Sequence, residues 1–313
     1  MITHRAMLAA VHISVWTATK HDRKVSREVA DQNGARERAG RYNKQLLMGA
    51  GKLEELRSLA GQIRQHFYKV TLPWSDEGLR LLPSHFLFEL KAKMREFDRE
   101  FTHRVESFLA VYPDYIQEAR SELGGLFREE DYPSAEKLRD KFGVKLDILP
   151  FPAGDDFRVD MSAEEHAHMA REIDARAKEK LAKGTEELWK RLRQVVSNMV
   201  ERLNEPESRF HTTLVTNIDE LVSVLPNLNV NQDPDLDRFA AQVHERLCSY
   251  SAKELKKDDQ LRASTAAKAA GIVAEIDGVL GERRSNVLAF PDVEPQVEDI
   301  FAHMSAYMGT PAA

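Results

Sequence analysis

The chain has 313 residues, of which 42% are hydrophobic and 31% charged, with 15 Gly and 12 Pro. That composition excludes a collagen-like repeat and a disordered low-complexity polymer, and few Gly and Pro beside much charge favour long solvated helices. The net charge of −6 is uneven: residues 1–50 hold nine Lys/Arg against four Asp/Glu, so the acidic excess lies beyond residue 50.

In chain order, Leu8–Trp16 alternates as a strand, with Val11, Ile13 and Val15 on one side and His12, Ser14 and Trp16 on the other. Helical character is expected from about Asp22, is punctuated by Asn33-Gly34, and resumes over Ala35–Leu47. Lys52–Val70 predicts an amphipathic helix on Leu53, Leu56, Leu59 (or Ala60), Ile63 and Phe67. Leu72-Pro73-Trp74 stops it, Ser75 or Asp76 caps a short turn through Leu82, and Pro83-Ser84 opens the next helix.

Two long stripes follow. Phe86, Leu90, Met94, Phe97, Phe101, Val105, Phe108 and Tyr112 are spaced 4, 4, 3, 4, 4, 3, 4, an 11-residue period that gives a nearly straight seam. Ser162 with Glu165 forms a capping box, after which Ala177, Leu181, Gly184, Leu188, Leu192, Val195, Met199 and Leu203 repeat the pattern. Such a rod, about forty residues or roughly 60 Å long, must lie along another long helix of this chain or of a copy. Between the stripes, Phe142–Pro152 and Asp156–Asp160 read as two short strands, which the Leu8–Trp16 strand could join. Beyond Asn204, helices are expected around Phe210–Leu225, Asp235–Ser249 and Ser251–Gly281, with a last one on Val297, Ile300, Phe301, Met304 and Met308.

These elements predict a mainly α protein of elongated helical hairpins, a coiled-coil-like bundle with a small β-hairpin or short sheet. Three units are expected: residues 1–82, a strand plus a basic helical segment; residues 83–204, a long helical hairpin with a β insertion near 142–160; and residues 205–313, a helical bundle. The helix-seam positions are Phe97, Phe101, Phe108, Leu181, Leu188, Leu192 and Met199.

Motifs for chemistry are mostly missing. Met48-Gly49-Ala50-Gly51-Lys52 has Leu46 where a phosphate loop needs its first Gly and Leu53 where it needs Ser or Thr, so a helix break is expected there. His166 and His168 stand two apart and face different ways on a helix, and Glu164 with His168 finds no further ligand. Cys248, four residues after His244, reads as a small buried hydrophobe. Asp155, Asp156 and Asp160 suit turn capping as well as a hard cation. No catalytic residue, metal site or cofactor is assigned, and the chain is expected not to be an enzyme.

The unusual stretch is basic with interleaved aromatics. Trp16, Lys20, Arg23, Lys24, Arg27, Arg38, Arg41, Tyr42 and Lys44 have the residue types that contact phosphates and stack bases on a single strand. The alternatives are a solvated or neutralised helix face, with Trp16 in the core and Asp22, Arg23 and Glu28 in local salt bridges.

The Ile13-Ser14-Val15-Trp16 segment, Asp22-Arg23-Lys24-Val25-Ser26-Arg27-Glu28-Val29, Leu72-Pro73-Trp74, Arg80-Leu81-Leu82-Pro83, Leu126-Phe127, Asp131-Tyr132-Pro133 and Asp156-Phe157-Arg158-Val159 together resemble an uncharacterised family from phages and integrative elements. The resemblance covers roughly residues 8–160 and the following long helix. The family has no established activity; its members lie near recombination, single-strand-binding and MoxR-type ATPase genes. The resemblance therefore implies a DNA-metabolism context and supplies no catalytic residues.

The expected function is a non-enzymatic helical accessory of phage or mobile-element DNA metabolism, self-associating and touching DNA through residues 16–44. The alternative is a protein–protein scaffold, such as a ring-ATPase adaptor or an inhibitor of a host defence complex. One cysteine, no 18-residue apolar run and an N-terminal apolar run of only Ala6–Val11 fit a protein of the cytoplasm, the host's if phage-encoded, with no membrane partner.

Overall fold

The structure is a computed structural model that describes residues 4–154, 161–205 and 213–288. Within them the fold is mainly α with a small antiparallel sheet. The second strand expected at 156–160 and the helix expected around Val297–Met308 lie outside the described residues.

The chain opens with β1 (Ala6–Ser14) and β2 (Thr19–His21), then α1 (Arg23–Gln32), β3 (Asn43–Gln45) and α2 (Gly51–Lys69). Next come β4 (Leu72–Pro73), β5 (Arg80–Pro83), α3 (Leu87–Leu123), α4 (Ala135–Arg139) and β6 (Gly143–Leu149). The second part is α5 (Ala163–Asn204), α6 (Thr213–Leu228), α7 (Pro234–Leu247), α8 (Ala252–Lys257) and α9 (Asp259–Leu288).

β1 is the centre of the sheet, whose order is β4-β5-β1-β6. It pairs antiparallel with β5 from Ala6 opposite Pro83 to Ala9 opposite Arg80, and with β6 from Leu8 opposite Leu149 to Ser14 opposite Gly143. The predicted first strand does join the strand near residue 145, as the shared alternation allows. β2 and β3 form a separate two-stranded ribbon.

α2 buries Leu53, Leu56, Leu59, Ala60, Ile63 and Phe67, the stripe its spacing predicts, and packs against α3. α3 runs unbroken through Pro113 and buries Leu90, Met94, Phe101, Val105, Phe108 and Tyr112, with Phe97 partly covered. α5 starts with the predicted capping box, Glu165 N–H donating to Ser162 Oγ at 3.3 Å and Ser162 N–H to Glu165 Oε2 at 3.1 Å. Leu181, Leu188, Leu192 and Met199 are buried along it, together with Trp189 and Val196, which lie beside the stripe that spacing alone marks.

Four expectations need correction. The segment 35–47 is not a helix: a 3-10 turn at Glu37–Ala39 is followed by extended β3, after Gly34 turns the chain at φ +61°. The segment after Leu72 is not a capped turn but the β4–β5 hairpin, closed by Trp74 N–H to Leu79 O at 3.2 Å, with Gly78 at φ +91°. Ser251–Gly281 is two helices, because Asp258 leaves the helical conformation and caps α9. The two long rods also do not form one hairpin. α3 packs on α2, β6 and α4, whereas α5 packs on α9, α6, α7 and β4.

A boundary at residue 82 consequently cuts through the β1–β5 pairing and the α2–α3 contact. The sheet and α1–α4 make one region; α5–α9 make the other, and the long stripe of α5 is covered by helices of its own chain. Gly184, expected to admit a helix, instead admits β4: a Cβ placed on it would meet Leu72 at 3.4 Å. Arg191 clamps the same junction, donating to the carbonyls of Tyr68 and Thr71 at 3.3 and 3.2 Å.

Candidate functional site

The β2–β3 ribbon and the start of α1 carry the basic segment, and the structure divides its residues into buried and exposed sets. β3 pairs with β2 so that Lys44 lies directly opposite Lys20. Like charges so placed repel, and Asp131 relieves them: its Oδ1 is 3.9 Å from Lys20 Nζ and its Oδ2 is 2.7 Å from Lys44 Nζ. The Lys44 side chain is only 1% exposed; it also donates to Leu126 O at 2.7 Å and stands 3.5 Å from Asp22 Oδ2. A buried ammonium with these partners is held by the fold. The expectation that Lys44 contacts phosphate is thereby corrected.

Trp16 is corrected as well. Its ring is buried under α3, edge-on to Tyr112 at 5.9 Å and tilted against Phe108 at 6.5 Å. A base cannot stack on a face already covered by two rings.

The remaining predicted residues are on the surface. Lys20, Arg23, Lys24, Arg27, Arg38 and Arg41 are exposed, and Tyr42 is 39% exposed. Arg27 is drawn to Glu37 at 3.2 Å, and Arg36, Glu37 and Arg38 flank a shallow depression. Tyr42 is fixed by its backbone, donating to Ser26 Oγ at 2.9 Å and accepting from Asp22 N–H at 2.9 Å. Its ring is therefore presented on an ordered turn.

Lys20, Arg23 and Lys24 also share a cavity of about 580 Å³ with Arg128, Glu130 and the Asp22–Lys44–Asp131 cluster. Four chain segments converge here: β2, the first turn of α1, β3, and Arg128 with the 3-10 turn Glu129–Asp131. Asp22 caps α1 by accepting from Lys24 N–H and Val25 N–H, both at 3.1 Å. The Val25 hydrogen bond holds the Asp22 carboxyl below the usual carboxylate range against the opposing effect of burial, and Lys44 and Arg128 add to that lowering. The Lys24 and Val25 amides of α1 are thus occupied by Asp22. Next to Asp131, Tyr132 donates to Leu46 O at 2.8 Å; burial and the adjacent Asp131 push its hydroxyl up to about 12.

Arg128, Glu130 and Asp131 are not marked out by spacing. They lie more than eighty residues from Lys44, and their one signal is membership of, or adjacency to, the Leu126-Phe127 and Asp131-Tyr132-Pro133 segments.

A second cavity, of about 770 Å³, is bounded by α5, the start of α7 and α9 and is mostly apolar, with Ala182 and Leu280 in its wall. Its polar groups are paired internally. Trp189 Nε1–H donates to Asp233 Oδ2 at 3.0 Å, Arg283 donates to both Asp233 oxygens, and Asn231 donates to Leu181 O at 3.1 Å. Burial works to raise the Asp233 pKa, but the hydrogen bonds from Arg283 and Trp189 prevail and hold it low.

The rejected motifs stay plain. Met48-Gly49-Ala50 leads into α2 as a helix start, with Gly49 at φ +69°. Burial pushes the Cys248 thiol up to about 11, so it is protonated at neutral pH. Among the described residues no three His, Cys, Asp or Glu side chains are grouped to hold a metal ion, and no helix is long and apolar enough to cross a membrane. Asp155, Asp156 and Asp160 lie outside the described residues.

Comparison of the chain with protein-family models, with curated proteins and with solved structures finds no match.

Proposed function

We infer that the protein binds nucleic acid without catalysis, as an accessory of phage or mobile-element DNA metabolism, through phosphate contacts on its basic N-terminal face. The observation that carries this reading is the convergence of Lys20, Arg23, Lys24 and Arg128 on one cavity, with Arg36, Arg38 and Arg41 exposed on the same segment. Side chains from separate segments, held by a buried ion-pair cluster, make an ordered cationic surface on a chain whose net charge is −6. Exposed Tyr42 offers one ring for base stacking. The resemblance of residues 8–160 to phage and integrative-element proteins gives the same direction.

Filter binding of a single-stranded oligonucleotide at two salt concentrations tests the reading. With about four phosphate contacts, raising salt from about 50 to 200 mM weakens binding on the order of fifty-fold. No retention at the lower salt refutes it. A second reading, a scaffold for protein partners, is favoured by the apolar cavity beside α5 and α9. A stoichiometric protein partner that survives nuclease treatment in a pull-down supports that reading instead.

A further inference from the structure

The cavity at the start of α1 has a charge balance that discriminates between kinds of phosphate. Its lining holds five cationic side chains, three carboxylates and the imidazole of His21. Lys44 is consumed by Asp22 and Asp131, so the groups open to a ligand are Lys20, Arg23, Lys24 and Arg128. Their existing ion pairs are loose: Lys20 to Asp131 and Arg128 to Glu130 are at 3.9 Å, and Lys24 to Glu28 is at 3.8 Å. Those separations exceed the roughly 2.7–3.2 Å of a made hydrogen bond. The Arg23 side chain makes no hydrogen bond or ion pair with another described residue.

With His21 counted as neutral, the lining as a whole is left with two positive charges in excess. A phosphodiester inside a strand brings one negative charge, whereas a phosphomonoester brings about 1.5 to 2 at neutral pH. A single terminal phosphate therefore neutralises the cavity, and an internal one does so by half.

The floor adds a second preference. The Asp131 side chain is 8% exposed: its Oδ2 is buried against Lys44, whereas its Oδ1 is only loosely paired, 3.9 Å from Lys20 Nζ. Carboxylates at the floor repel phosphate toward the cationic rim and accept from a hydroxyl or amino group. A cavity of about 580 Å³ lies within the roughly 300–1,000 Å³ of small-ligand sites and exceeds the needs of phosphate alone.

We propose that this cavity binds a terminal phosphomonoester on a nucleotide unit, either the phosphorylated end of a strand or a free nucleotide. Arg23, Lys24, Arg128 and Lys20 hold the phosphate, and Asp131, through Oδ1, accepts a hydrogen bond from the sugar or base. As applied to a strand, the proposal rests on the nucleic-acid reading above.

The test compares one mixed-sequence single-stranded decamer carrying a 5′-phosphate, a 3′-phosphate or neither, bound to the full chain, with adenosine monophosphate and inorganic phosphate titrated in parallel. A phosphorylated end is expected to tighten binding about tenfold, and exposed-site variants Arg23→Ala and Arg128→Ala to remove most of that difference while leaving the thermal midpoint in place. Equal binding of all three decamers overturns the proposal and leaves the nucleic-acid reading intact. If no decamer binds, the nucleic-acid reading falls. Adenosine monophosphate that binds more tightly than inorganic phosphate then keeps the cavity as a nucleotide site, and failure of both small anions overturns it. A preference that survives both substitutions also overturns it.

Discussion

Each of the two regions contains a buried polar knot, and the knots differ in how they close. In the α5–α9 region, Asp233 takes hydrogen bonds from Trp189 and Arg283 and caps α7, so three helices are tied by one carboxylate with every partner in place. In the sheet region, Lys44 faces two carboxylates, Asp22 and Asp131, and the surplus negative charge is answered by cations arrayed around an open cavity. The closed knot is explained by stability alone. The open one places exposed, loosely paired cations on a rigid base, and that is what a ligand can use.

The heaviest loss is expected where Lys44 acts as a strut. Lys44→Met leaves two buried carboxylates without their cation and is expected to cost about 3–5 kcal/mol, read by denaturant unfolding. A loss below about 1 kcal/mol would return Lys44 to the surface set. Asp233→Asn probes the closed knot and is expected to cost about 2 kcal/mol. Its pH signature follows from sign: the folded pKa of Asp233 is depressed, so its stabilisation is present above the ordinary carboxylate pKa and is lost as pH falls through the folded value. Wild-type unfolding midpoints should therefore drop on acidification below about pH 4, with a smaller drop for Asp233→Asn. Trp189→Phe keeps most of the ring and loses the N–H, for about 1 kcal/mol.

Stability should respond least at Arg36, Arg38 and Arg41. Replacing all three with Ala should change stability by less than about 0.5 kcal/mol per site, while the salt dependence of single-strand binding falls by about 0.7 for each phosphate that is no longer neutralised. An unchanged salt slope would restrict the interface to the cavity.

The parts of the fold legible in the sequence are those whose signals are local. α2, α3 and α5 declare themselves by stripes, and α5 also by Ser162 with Glu165 in its first turn. What stayed illegible depends on distant partners. The pairing of α5 with α9 rather than α3 is a choice among equally apolar faces. The β4–β5 hairpin is short and carries Pro at both strands, and its pairing is completed by β1 more than sixty residues earlier. In the site, charge type named Lys44 and Arg41 alike, because burial of the first depends on Asp131, eighty-seven residues away. Trp16 was ambiguous for the same reason: its covering rings come from α3.

Hydrogen exchange of the full chain with and without a single-stranded decamer decides whether the open knot is where nucleic acid binds. Slowed exchange is predicted in residues 19–45 and 124–132, with α5–α9 unchanged. Protection confined to the groove beside α5 and α9, or none anywhere at low salt, would contradict that assignment.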